Sequence, residues 1–116
     1  MAAPQRIKKI NELVKRELGR IILKEVGFPK TILVTLTSVQ TSKDLRECKV
    51  FVSVIPEEKT EEVLRNLSEE IYHLQQILNQ RLKMRPVPKI EFVRDRELAK
   101  AQRVDEILSQ LQNHKK

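Results

Sequence analysis

The chain has 116 residues, enough for one compact domain and a short extension, and 40% of them are hydrophobic and 34% charged. Its 23 lysines and arginines outnumber 16 acids, for a net charge of +7 and a pI near 9.8, which favours a polyanionic partner, nucleic acid first and an anionic membrane surface second. One cysteine excludes an intramolecular disulfide and a cysteine-based zinc site, and two glycines exclude the GxGxxG and GxxxxGK[ST] phosphate loops.

From Pro4 to about Val26, apolar residues recur at Ile7, Ile10, Val14, Leu18, Ile21 and Ile22. Intervals of three and four predict an amphipathic helix, with Pro4 in its tolerant first turn and Gly27 and Pro29 as its stop. Gly19 interrupts the pattern, at about 1 kcal/mol against alanine, which a close approach by another element would offset. The start of the chain runs straight into this charged helix with no secretory signal pattern, and no apolar run reaches spanning length, so a reducing cytoplasm is expected.

Residues 31–39 alternate and are rich in β-branched side chains, predicting a strand with Ile32, Val34 and Leu36 on one face and Thr35 and Thr37 on the other. Gln40 to Arg46 reads as a hairpin connection into a second strand, Glu47 to Ile55. There Cys48, Val50, Val52 and Val54 share one face, opposite Lys49, Phe51 and Ser53. Pro56 ends it. Thr60 is then expected to cap a helix whose stripe runs through Val63, Leu64, Leu67, Ile71, Leu74, Leu78 and Leu82 to about Lys83. Pro86 and Pro88 prevent its continuation, and residues 89–93 form a short third strand with Ile90 and Phe92 inward. Beyond Arg94 lies a highly charged tail, in which Leu98, Val104, Ile107, Leu108 and Leu111 could build a last helix.

The predicted order is therefore α-β-β-α-β plus a tail, an α+β two-layer domain with a three-stranded sheet and its helices on one face. The expected division is residues 1–95 as the domain and residues 96–116 as a charged C-terminal helix or tail.

Catalytic chemistry has little to stand on. His73 has no cysteine or second histidine at ligand spacing and no carboxylate at the following i+4 position, and His114 falls in the tail. The serines lack an elbow motif, and the glutamate pairs 61–62 and 69–70 suit a solvated helix face better than an acid/base dyad. No cofactor, metal or small-molecule substrate is expected.

Basic surface is better supported. Lys8, Lys9, Lys15, Arg16 and Arg20 lie off the apolar stripe of the first helix. Arg81, Lys83, Arg85 and Lys89 form a dense second group, extended by Arg94 and Arg96. Such groups supply phosphate contacts, whereas the bland alternative is a solvated face with dipole-favourable lysines. With aromatics reduced to Phe28, Phe51, Tyr72 and Phe92, stacking platforms are scarce, so recognition of folded RNA by shape suits the chain better than base reading. A different class of function, a protein adaptor docking through Val104, Ile107, Leu108 and Leu111, remains as the alternative.

The element order and charge point to KH-like domains of type II topology, and local strings narrow the match. Arg6-Ile7 opening a helix that closes on Glu25-Val26, the run 35–45 leading into the strand at 49–54, and Arg81-Leu82-Lys83-Met84-Arg85 followed by residues 88–93 and Asp95 resemble the ribosome-binding factor A family, as more weakly does Arg103 to Leu108. The resemblance implies a monomeric, non-catalytic, cytoplasmic assembly factor on a KH-like fold without the GxxG loop. It implies binding to 16S rRNA in the free 30S subunit, help in maturing the 5′ end of that rRNA, and a link to cold adaptation. Ribosomal proteins or other assembly factors would be further partners.

The family interrupts its second helical region with an Ala-x-Gly kink followed by an arginine. Here that stretch reads Glu70-Ile71-Tyr72 with Gln75 at the arginine position. With no helix breaker inside it, a straight helix from about Thr60 to Lys83 is expected.

Overall fold

The computed structural model describes residues 3–96. The helix expected around residues 98–111, the division at residue 96 and His114 lie outside the described residues or at their edge. The first helix, α1, spans Pro4–Glu25 with its proline in the first turn, and buries Ile10, Val14, Leu18, Ile21 and Ile22. The sheet consists of β1 (Leu33–Thr41), β2 (Glu47–Ile55) and β3 (Lys89–Arg94), in the order β1-β2-β3. β1 runs antiparallel to β2, and β3 runs parallel to it. A parallel pair needs a crossover, which the helical segment between β2 and β3 provides.

β2 sits at the centre and sets the layering. Cys48, Val50, Val52 and Val54 are buried in strict alternation and pack with Val14, Leu18 and Ile21 of α1 and with the leucines of the later helices in one core. Lys49, Phe51 and Ser53 alternate onto the opposite face.

β1 departs from the expected phase. Its pairing steps from Leu36–Val52 to Ser38–Phe51, leaving Thr37 as an extra residue, a β-bulge. The bulge turns Val39 and Thr41 to the core, so the strand extends two residues further than the alternation of 31–39 predicts, and the connection shrinks to Ser42–Arg46. Thr37, expected on the solvent face, is half-buried and donates its hydroxyl to the Phe51 carbonyl and the Asp95 carboxylate.

The second helical region is also corrected. A short 3₁₀ turn, Glu57–Lys59, precedes α2 (Thr60–Glu69), and a separate α3 follows at Ile71–Arg81. Thr60 is the first residue of α2 and not its cap; buried, it donates its hydroxyl to the Glu57 carbonyl at 2.6 Å. The break falls at Glu70, with φ −92° and ψ 0°. That conformation is open to any L-residue, so no glycine is needed. Its backbone stays paired, its N–H donating to the Asn66 carbonyl and its carbonyl accepting from the Leu74 N–H. The interruption allows one apolar stripe to serve two neighbours: α2 packs on β3 and β2, and α3 packs on α1 and β3.

Both edge strands are tied to the helices by side-chain amides. Asn11 Oδ1 of α1 accepts from the Thr41 N–H at 2.9 Å and from its hydroxyl at 2.6 Å. Gln75 of α3 accepts from the Ile90 N–H at 2.8 Å while its NH₂ donates to the Pro88 carbonyl at 3.1 Å and to Asn79 at 3.0 Å. Backbone groups that would otherwise face outward from β3 thus meet a side-chain amide. Gly19, by contrast, is closely approached by nothing: a Cβ there would have no neighbour within 4 Å. The expected compensation for its helix penalty is absent.

Three substitutions separate these contributions, each measurable by urea denaturation at pH 7. Gly19→Ala stabilises the domain by about 0.5–1 kcal/mol, since it removes a helix penalty and meets no steric cost. Asn11→Asp keeps the accepting oxygen and changes stability by less than about 0.5 kcal/mol. Gln75→Glu removes a donor and sets an anion against the Pro88 carbonyl, costing about 1–3 kcal/mol.

Candidate nucleic-acid interface

The helices α1 and α3 pack antiparallel. His73, near the start of α3, meets Glu25 at the end of α1 (Nε2 to Oε2, 3.2 Å), and Arg81, at the end of α3, meets Glu17 in the middle of α1 at 3.6 Å. The C-terminus of α3 therefore runs toward the N-terminal half of α1. The Asn11–Thr41 bonds tie that half to the hairpin end of β1, and the Lys89 N–H donates to the Arg46 carbonyl at 2.9 Å, which puts the start of β3 at the same end.

Two basic groups far apart in the chain thereby merge. Lys8, Lys9, Lys15 and Arg16 come from α1, Arg81, Lys83 and Arg85 from the end of α3 and the residues after it, and Lys89 from the start of β3. The turn adds Lys43 and Arg46, both exposed, which the sequence alone does not single out. Their charge is plain in the sequence, but placing them at this end requires knowing where α3 terminates.

The cations differ in what they are free to do. Lys8, Lys9, Lys83 and Lys89 are exposed and enter no ion pair among the described residues. Arg16, Arg20 and Arg81 all lie within 4 Å of Glu17. Arg85 donates from Nη1 to the carbonyls of Leu82 and Met84 at 2.8 and 2.7 Å, which pins the segment that follows α3.

Arg94 and Arg96 are not brought to this end. Arg94 lies at the far end of β3, with its guanidinium 2.6 Å from Glu57, and exposed Arg96 follows it. That end carries more acid: residues 57–70 contain six glutamates, against Lys59 and Arg65 within them and Arg94 and Arg96 beside them. The domain is thus electrically polar, positive at the hairpin end and negative around the start of α2.

The turn at the positive end is built by Ser42 and Asp44. Ser42 Oγ donates to Asp44 Oδ1 at 2.6 Å and accepts from the Glu47 N–H, and Asp44 also accepts from the Arg46 N–H at 3.1 Å. Leu45 adopts a left-handed φ of 63°, uncommon for a leucine, while its side chain packs on the core. The hydrogen bond from Ser42, then that from the Arg46 N–H, hold the Asp44 carboxyl below the usual aspartate value of 3.8.

Elsewhere the chemistry is quiet. Burial pushes the Cys48 thiol up from its usual value, which makes it a poor nucleophile. Among the described residues no group of three His, Cys, Asp or Glu side chains could hold a metal, and no helix is long and apolar enough to cross a membrane.

Comparison with known proteins bears on this arrangement. The family model for ribosome-binding factor A matches residues 6–108. A ribosome-binding factor A from Halothermothrix orenii is 35% identical over 108 residues, 92% of this chain and 88% of that protein. The crystal structure of ribosome-binding factor A from Thermus thermophilus is 31% identical, with a TM-score of 0.65 over 76% of this chain and 94% of that one. A homology model of the Thermus thermophilus factor, fitted into a cryo-EM map of its complex with the 30S subunit, is 32% identical with a TM-score of 0.63, over 74% of this chain and 91% of that one. The KH-like order of helices and strands is shared with these relatives.

The Asp44 turn has a definite pH signature. Its folded-state value lies below the unfolded one, so its contribution to stability is present above about pH 3.8 and disappears as pH falls through the lower folded value. In an NMR titration, the Asp44 carboxyl midpoint falls below 3.8 and rises toward it in Ser42→Ala.

Proposed function

The chain belongs to the ribosome-binding factor A family, and from that premise we propose that it is a non-catalytic assembly factor whose positive end binds folded 16S rRNA in the free 30S subunit. The observation that carries the reading is the convergence of basic side chains from α1, the end of α3, the start of β3 and the β1–β2 turn on one end of a rigid domain. Lys8, Lys9, Arg16, Arg81, Lys83 and Lys89 make the contacts in this reading, with Lys43 and Arg46 added. Arg85 acts indirectly, by holding the segment that follows α3. Arg94 and Arg96 lie apart and are left out of the contact surface.

Phosphates arrayed on folded RNA suit such a surface better than unstacked bases do. It offers many exposed ammonium and guanidinium donors, while the sheet aromatics Phe51 and Phe92 are half-buried. The acidic far end would be repelled by RNA, and this orients the encounter. Late maturation of the 16S rRNA 5′ end, cold adaptation, a cytoplasmic location and a monomeric state belong to the same reading, and the name and 30S complex of the relatives support its ribosomal partner. A factor of this kind works by binding, which agrees with the buried thiol and with His73 lying against Glu25.

The test uses the four lysines without ion-pair partners among the described residues, so that the fold is left alone. Replacing Lys8, Lys9, Lys83 and Lys89 by glutamine weakens co-sedimentation with 30S subunits by at least about tenfold at moderate salt. It also flattens the dependence of log affinity on log salt by up to about 0.9 per lost contact. Unchanged affinity and slope, with the circular dichroism spectrum preserved, would remove this surface from the interaction.

A further inference from the structure

One carboxylate sits among the cations of the positive end in a way the binding surface alone does not require. Glu17 is a residue of α1 with a side chain only 16% exposed, and it meets three arginines. Arg16 Nε lies 3.7 Å and Arg20 Nη1 3.8 Å from its Oε1, and Arg81 Nη1 lies 3.6 Å from its Oε2. Two of the arginines belong to the same helix and the third to α3, so the carboxylate also bridges the helix pair. The arginine side chains remain much more open than the acid, at 61%, 66% and 36% exposed for Arg16, Arg20 and Arg81.

These separations exceed good charge-assisted hydrogen bonds, which run near 2.7–2.9 Å. Each guanidinium has five N–H donors, and loose pairs leave most of them available. Three cations, two on successive turns of α1 and one on α3, would otherwise repel one another and spread into solvent. A recessed anion at their centre holds them together, and the excess positive charge faces outward.

We propose that Glu17 is a positioning residue that gathers Arg16, Arg20 and Arg81 into one phosphate-binding site for the backbone of folded RNA. The inference rests on the reading of the positive end as the RNA surface and deepens it. It adds Arg20, names the part of that surface gathered around one carboxylate, and assigns a role to an acid inside a basic patch. Three guanidinium groups gathered around one carboxylate keep further N–H donors, and such planar forks fit phosphate oxygens, which scattered lysines contact only as point charges.

The sign of the effect separates positioning from simple charge. Glu17→Gln raises the net charge from +7 to +8, so long-range attraction alone predicts tighter binding to purified 30S subunits. Positioning predicts the opposite: binding about fivefold weaker or more, largely restored in Glu17→Asp. Arg81→Lys, which keeps the charge and loses the fork, weakens binding to a similar degree and serves as an independent variant if Glu17→Gln disturbs the helix pair. In the native protein, inorganic phosphate titrated against the Arg Nε–Hε resonances shifts Arg16, Arg20 and Arg81 together along one binding curve; in Glu17→Gln the common curve is lost.

Tighter or equal 30S binding by Glu17→Gln, or three unrelated phosphate responses in the native protein, would overturn the proposal. If the four-lysine variant loses 30S binding while Glu17→Gln gains it, the RNA surface stands and the role of Glu17 falls. If neither variant changes binding, both readings fail.

Discussion

Everything in this domain leans on the buried face of β2. One strand presents Cys48, Val50, Val52 and Val54 to a single side, and a sheet with one apolar face must be covered along its whole length. Two straight helices of ordinary length would cover it from fixed directions. Here α1 covers the sheet from the β1 side, α2 lies against β3 and β2, and α3, which parts from α2 at Glu70, packs on α1 and β3. That division lays α3 antiparallel against α1 and sends its C-terminus toward the hairpin. The charge pattern is a by-product of this solution: the last turn of a helix tolerates cations, and α3 ends where the first half of α1 already carries them.

The electrical polarity that results is not evident from net charge. A uniform +7 would attract any polyanion in any orientation. The actual distribution puts glutamates around the start of α2, pairs Arg94 with Glu57 there, and leaves exposed lysines at the opposite end. For the RNA binding proposed above, orientation would then be settled during approach, before any short-range contact forms.

Much of this was legible in the amino-acid order. The stripe from Ile10 to Ile22, the alternation through Cys48 to Val54 and the inward Ile90 appear as the periodicities predict, because each is fixed by burial on one face. What could not be read was whatever local sterics leave permissive. Glu70 breaks the helix at negative φ, in a turn conformation that needs no glycine or proline, so the absence of a breaker carried no information. Thr37 drops out of the pairing because Val39 and Thr41 are wanted in the core, a tertiary demand that alternation cannot register. Lys43 and Arg46 join the positive end only through topology. The same holds for Glu17, whose meaning depends on Arg81, a residue of another helix far along the chain.

The parallel pairing of β3 with β2 has a consequence in time. β1 and β2 are joined by a five-residue turn and can pair at once, with α1 available from earlier in the chain. β3 must wait until the whole crossover from Pro56 to Pro88 has been made and folded back, since non-local pairings bear the larger loop-closure entropy. Lys89 arrives with that strand, and Arg81, Lys83 and Arg85 arrive just ahead of it. An incompletely folded chain therefore displays only the α1 and turn share of the positive end. On the proposed RNA-binding reading, the full positive end is complete only with the last strand, so unfinished molecules would compete poorly with finished ones.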